Sequence, residues 1–451
     1  MLDFLDPAAL FTLDKADNSP GAKRSMSSLA QEVLRAGGYV ALIGSSAPTS
    51  LLHDLADEHS ASGARQQLFL TFNQRSDSPM RAAIRRALPA AEAASRDGRP
   101  SLIVLWQDEP DQAEHSAGLG TLPVRNALRR SDAGLRQLRG ALTRLGIARQ
   151  SDLIVTSDHG CATIKLEVRL SDLLVTAGLK RSRNSDDVLV ARNGGVDLVY
   201  LSSQSFPTLE ARRAMLARIV DFAAAQDWCG VIFSHTGPPP GTSTADKNLG
   251  WIPGTFSQEL VGIFNSARSP DLFISFREIG DNNRSLTGPS NRAFALGSRG
   301  QVVVKNHSAT LLQPTRGVVY ADNAGNHFTT GTGMHGAAGQ YEIHSFLAAE
   351  GPDFKSHFID PNPTSSLDLA PTLRRVLNLS APANQAGRVL TEALAIGSAT
   401  PASNPPTRLM PKAYLVLQGA QIESQLNLTS FDGEIYFDDS SVSRTSIGPP
   451  Q

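Results

Sequence analysis

Three separated stretches of this chain carry side chains able to share a metal ion. Asp111 and His115 follow the apolar run at residues 101–106 and stand four apart. One helical turn would bring that carboxylate and imidazole onto one face, where they can bind a common cation or simply form an ion pair. Thr156-Ser157-Asp158-His159-Gly160 leaves the tip of a second apolar run, Leu153-Ile154-Val155, so that a rigid strand end presents an adjacent acid and imidazole. His335 stands in Gly333-Met334-His335-Gly336, after a Gly/Thr-rich loop. Each stretch alone has an ordinary explanation, because loops after strands are commonly polar. Together they supply carboxylate and imidazole donors, a set suited to zinc.

The elements that must position these residues alternate in type. Ser28 and Gln31 have the spacing of a capping box, followed by a helical pattern over 29–36 that Gly37-Gly38 stops. Strand-like runs follow at 39–43, 101–106, 152–156, 197–201, 230–233 and 272–276. Helical patterns lie at 124–145, Arg-rich and closed by Gly146, and at 209–225 and 341–350, with another opening at Ser365-Ser366. The 341–350 pattern places His344 on a helix, as a packing or surface residue. The alternation predicts an α/β fold whose largely parallel sheet is covered by helices on both sides, with ligands at the carboxyl ends of strands.

The order of motifs resembles the alkaline phosphatase superfamily, and within it the type I phosphodiesterase / nucleotide pyrophosphatase family. The likeness rests on Glu109-Pro110-Asp111 leading to His115, Ser157-Asp158-His159-Gly160 after the next strand, and His335-Gly336 followed by Gly351-Pro352-Asp353-Phe354. It covers residues 20–395. The resemblance implies a three-layer α/β/α sandwich and hydrolysis of phosphodiester or nucleotide pyrophosphate bonds at two zinc ions. Asp111, His115 and His335 match the ligands of one zinc, and Asp158 and His159 match two ligands of the other. Related chemistry on the same scaffold, at phosphonates or monoesters, and a non-catalytic metal-binding scaffold are the alternatives.

The sequence departs from that family in one respect. Upstream of residue 101 there is no strand ending in Asp-Gly, and no Thr or Ser in a Pro-rich loop opening a helix. The expectation is therefore a chain without the first βα portion of the domain, lacking the hydroxyl nucleophile and one Asp ligand. No catalytic residue is assigned. Ser45, Ser46 and Thr49 follow a strand and precede a helical segment at 51–56, and turn and N-cap duty accounts for them. The sulfatase-like pattern is absent, since Asp77-Ser78-Pro79-Met80-Arg81 has Asp at the nucleophile position.

Composition sets the remaining bounds. With 451 residues, 41% hydrophobic and 19% charged, the chain is globular and large enough for a sizeable core. A net charge of -1 gives no electrostatic footprint for a nucleic-acid polymer or an anionic membrane, so the expected partner is a small phosphoester or nucleotide. Cys161 and Cys229 make no disulfide framework; Cys161 reads as a packing residue and His307 as a surface one. There is no membrane-length apolar run and no signal-peptide pattern, though a periplasmic or secreted location fits a chain shortened at its start. The domain plan is a phosphodiesterase-like domain over 1–395, a Pro/Ser/Ala-rich linker over 396–411, and a small β-hairpin extension over 412–451.

Overall fold

The computed structural model describes residues 28–44, 67–71, 79–237, 246–265, 268–279, 293–296, 302–305, 318–322, 328–382, 385–395, 405–417 and 419–446. Ser45, Ser46, Thr49, the helical segment 51–56, Asp77, Ser78 and His307 lie outside the described residues.

Helix α1 (Leu29–Arg35) opens with the expected reciprocal cap, Ser28 Oγ accepting from Gln31 N and Gln31 Oε1 from Ser28 N, both at 3.1 Å. Gly37, at φ +74, ends it. Strand β1 (Tyr39–Gly44) is buried at every position. It pairs in parallel with β2 (Gln67–Thr71) on one side and β3 (Ser101–Leu105) on the other. Between β2 and β3 the chain forms α2 (Pro79–Ala82), a π-helical turn (Ala83–Ala87) and α3 (Leu88–Arg96). Strand alternation divides β1 cleanly. Tyr39, Ala41 and Ile43 pack against Ala82, Ala83, Ala87, Ala91 and Ala94, while Val40 and Leu42 pack against Ala30 and Val33 of α1. The result is an α/β/α layering, and the small alanines let the covering helix approach closely.

Beyond β3 come α4 (Glu109–Ala117), α5 (Leu122–Arg144), β4 (Leu153–Thr156), β5 (Ala162–Val168), α6 (Leu170–Thr176), β6 (Val188–Asn193), β7 (Val196–Leu201), α7 (Leu209–Ala224), β8 (Cys229–Ser234), β9 (Phe256–Ser257) and β10 (Leu272–Phe276). Strands β6, β7, β10, β8 and β9 form one sheet in that order, over a core that includes Leu170, Leu174, Leu216, Ile219, Leu272 and Ile274. β11 (Glu278–Ile279) precedes the hairpin of β12 (Ala293–Leu296) and β13 (Val302–Lys305); β14 (Val318–Asp322) and β15 (Gly333–Met334) then join β11 and β5 in the order β11-β14-β5-β15.

Parallel pairing is present in β1–β2, β1–β3, β5–β14 and β8–β9, whereas β6, β7 and β10 run antiparallel to their neighbours. The short β6–β7 connection explains part of this. Asn193-Gly194-Gly195, with Gly194 at φ +71, forms a tight hairpin turn where a parallel crossover would need a dozen residues.

One local expectation is corrected. The pattern at 341–350 is not a continuous helix: α8 (Gln340–Ile343) makes a single turn, His344 is extended at φ -75 and ψ 119, and β16 (Leu347–Glu350) pairs antiparallel with β4. Thr156 Oγ1 donates to Phe346 O at 2.8 Å and reinforces that pairing. Backbone bonds offered by β4 override a helical periodicity only ten residues long.

Helix α9 (Leu369–Val376) follows the capping box of Ser365 and Asp368. The C-terminal region contains β17 (Thr407–Leu409), β18 (Lys412–Leu417), β19 (Ala420–Phe431) and β20 (Glu434–Ser446), all antiparallel around β19. Asp432 and Gly433, at φ +51 and +86, make the β19–β20 turn. Ala413, Ile422, Leu426, Leu428 and Val442 share one apolar cluster with Val231, Phe233, Phe256 and Phe273.

Candidate metal centre

Strand β3 hands the chain to α4 through Trp106-Gln107-Asp108, and Pro110 sits in the first turn, where a missing N–H costs nothing. The i,i+4 spacing does bring Asp111 and His115 together: His115 Nε2 lies 3.3 Å from Asp111 Oδ1. β15 delivers His335 to the same point, its Nε2 3.2 Å from His115 Nε2 and 3.6 Å from Asp111 Oδ1. A tetrahedral ion with ligands at about 2.0–2.1 Å has ligand–ligand edges of roughly 3.3 Å, so these three atoms have the spacing of one face of such a site.

Proton placement supports the same fit. His115 Nδ1 donates to Gly333 O at 2.9 Å; a carbonyl only accepts, so the neutral ring keeps its lone pair on Nε2. Asp111 Oδ1 is then buried without a donor. Burial works against the Asp111 carboxylate, yet the adjoining imidazoles, His115 first and then His335 and His159, hold it below the usual range. Burial, with His159 and His115 adding to it, pushes His335 down to about 3, which leaves a neutral imidazole near pH 7. A divalent cation requires neutral imidazoles and an ionised carboxylate; burial opposes a proton on His115, but Asp111 and the Gly333 carbonyl outweigh it and raise that group, so a bound cation would displace the His115 proton. Asp111, His115 and His335 could therefore hold a metal ion, and they are the only such group among the described residues.

Asp158 and His159 leave β4 as anticipated but do not join that group. His159 lies flat against His335, with ring centroids 3.6 Å apart and planes 16° apart. Imidazole lone pairs lie in the ring plane, so two parallel rings cannot direct theirs at one ion. His159 Nδ1 is bound to Gly160 O at 2.9 Å, and its Nε2 stands 3.4 Å from Asp158 Oδ2, whose side chain is half exposed. The pair thus forms a separate acid–imidazole step beside the three-atom cluster. Cys161 is partly buried, its thiol pushed well up by burial and by Glu114.

Several contributors were invisible to residue-type reasoning because they act through the main chain. Gly333 supplies the carbonyl that orients His115. Gly160 packs so closely under Tyr341 O and His344 O that any side chain would collide. Phe328 walls the His115 ring, with centroids 5.2 Å apart. Glu342, which no sequence motif marks, is 2% exposed.

Part of the chain is similar to known proteins. Residues 18–225 match the model of the type I phosphodiesterase / nucleotide pyrophosphatase family. No curated protein matches the chain by sequence. Among solved structures, murine ectonucleotide pyrophosphatase / phosphodiesterase 5 superposes with a TM-score of 0.50 at 16% identity, covering 81% of this chain and 74% of that one. The human counterpart gives 0.50 at 15% identity with the same coverage. At these identities the likeness concerns the fold. Residues 18–225, just under half of the chain, are thus similar to the type I phosphodiesterase / nucleotide pyrophosphatase family.

Proposed function

We propose that this protein carries the metal-binding half of a phosphodiester or nucleotide pyrophosphate hydrolase, with zinc held by Asp111, His115 and His335. The observation that carries the reading is the convergence of two Nε2 lone pairs and an unpaired carboxylate oxygen within 3.2–3.6 Å of one another. Bound there, zinc would supply Lewis acidity toward a phosphoryl oxygen and the leaving group.

The chain's own residues have narrower tasks. His115, oriented by Gly333 O, and neutral His335 present lone pairs, and Asp111 contributes negative charge where the cation sits. Asp158 and His159 form two arms of a second cation site. A third and fourth ligand for that site, and a hydroxyl nucleophile of the family's pattern, do not appear among the sequence motifs, so we propose that residues 1–451 hydrolyse diesters poorly. Small phosphoesters or nucleotides are the substrate class this reading implies.

The test is metal stoichiometry combined with turnover of bis(4-nitrophenyl) phosphate. A single tightly held zinc per chain, lost in His335→Ala, with little turnover, is the expected result. Two tightly held zinc ions, or brisk turnover abolished by His335→Ala, would overturn the proposed division into a complete and an incomplete half.

A further inference from the structure

The short β5–β15 ladder ends at Ala162 and Met334, which pair across it. Beyond that end the ladder is not continued, and the two segments run on as Cys161-Gly160-His159 and as His335-Gly336-Ala337. His335 follows the last ladder pair directly, its main-chain oxygen accepting from Gly195 N at 3.3 Å, while His159 lies three residues before Ala162; the two rings meet by stacking, which has no directional hydrogen bond to set their separation. Their relative position must come from what holds the two backbones.

Glu342 touches both. Its side-chain Oε2 accepts from Ala337 N at 2.5 Å, and its main-chain oxygen accepts from Gly160 N at 2.8 Å. It spans the gap from α8, whose N-cap residue Gly339 accepts from Glu342 N at 3.2 Å through its carbonyl. The turn is anchored from outside: Glu278 accepts from Tyr341 N at 3.2 Å, and Ser275 Oγ accepts from Ala338 N at 2.8 Å. Gly336, at φ +101, allows the His335 strand to bend toward this bracket, and Gly160, which has no room for a Cβ, allows the His159 strand to lie against it.

We propose that Glu342 is a positioning residue for the metal centre: by bonding Ala337 with its carboxyl and Gly160 with its carbonyl, it replaces the missing ladder rung and sets His335 relative to His159. The hydrogen bond of its side chain goes to Ala337 N and not to a candidate ligand. It acts through the backbone, at Ala337, two residues from His335. The proposal rests on the reading of Asp111, His115 and His335 as metal ligands.

The experiment measures zinc affinity by chelator competition and records the visible spectrum of the cobalt-substituted protein, for wild type and for Glu342→Gln, Glu342→Asp and Glu342→Ala. Gln keeps an acceptor of the same reach and should bind within a few-fold of wild type. Ala, which strands Ala337 N, should lose about 10–100-fold in affinity and shift the cobalt bands, because His335 is no longer held at its angle. Asp, one methylene short, should fall between, and it carries the test if Ala does not fold. A purely structural role would lower thermal stability while leaving the cobalt bands of the folded variants in place. Wild-type affinity and bands in folded Glu342→Ala or Glu342→Asp, or a loss in Gln equal to that in Ala, would overturn the proposal alone. Failure of the wild type to bind either metal would instead overturn the ligand assignment, and the proposal with it.

Discussion

His159 stacks face to face on His335, at 3.6 Å between centroids, while His335 points its Nε2 at His115, 3.2 Å away. One ring therefore belongs to two relationships, a shared lone-pair focus with α4 and a flat contact with the β4 loop. The second is sensitive to any displacement of the first.

The focus itself is testable by removing its members. Asp111→Ala and His335→Ala should each reduce zinc affinity by more than the about 10–100-fold that loss of a supporting group costs, because each removes a donor outright. Calorimetric titration checks this, and wild-type affinity in either variant would refute the site. His344→Ala serves as the control and should leave affinity unchanged, since His344 is an extended residue outside the cluster.

Acid stability should report the joint between β4 and β16. Asp152 accepts from Asp353 N at 3.2 Å, and burial, with the Asp353 carboxyl adding to it, raises Asp152 from 3.8 to about 6. The folded protein thus binds the proton more tightly than the unfolded chain. Its contribution is fully present below about pH 3.8 and is lost as pH rises through about 6. Asp152→Asn keeps the acceptor and removes the titration. Across that window the urea midpoint of wild type should fall relative to that of Asp152→Asn, and parallel curves would rule the effect out.

A buried polar chain ties the C-terminal sheet to the segment around α9. Arg388 Nε donates to Tyr436 Oη at 2.9 Å, and that hydroxyl lies 3.2 Å from Asp368 Oδ2. Tyr436→Phe keeps the ring but strands the Arg388 donor. The expected cost is about 1–3 kcal/mol in urea unfolding. A change near zero would mean that water replaces the hydroxyl.

Leu426 is fully buried in the cluster that joins β19 to Val231, Phe233 and Phe273. Leu426→Ala should cost about 2–5 kcal/mol, and it should lower one cooperative transition of the whole protein. An early, separate transition confined to the variant would instead identify residues 405–446 as an independently folding unit.

Sequence alone was enough to identify what is local in period or in type. The Ser28/Gln31 cap, the 23-residue helix α5, the apolar strands β1, β3 and β10, and the Asp-x-x-x-His face of α4 all follow from spacing, because each is stabilised by neighbours a few residues away. Asp111, His115 and His335 stand out as separate metal-capable motifs, and their grouping comes from the resemblance to the family. Tertiary structure decided the rest. The stretch at 341–350 became one helical turn and a strand because the edge of β4 offered backbone partners that no periodicity reveals. The family resemblance already sets Asp158 and His159 apart from the three-atom focus; what the sequence leaves open is that His159 stacks on His335, an arrangement that depends on the backbone around Gly160, Glu342 and the end of the β5–β15 ladder. Donor identity is written in the residues, but the convergence of donors on one point depends on contacts between distant segments.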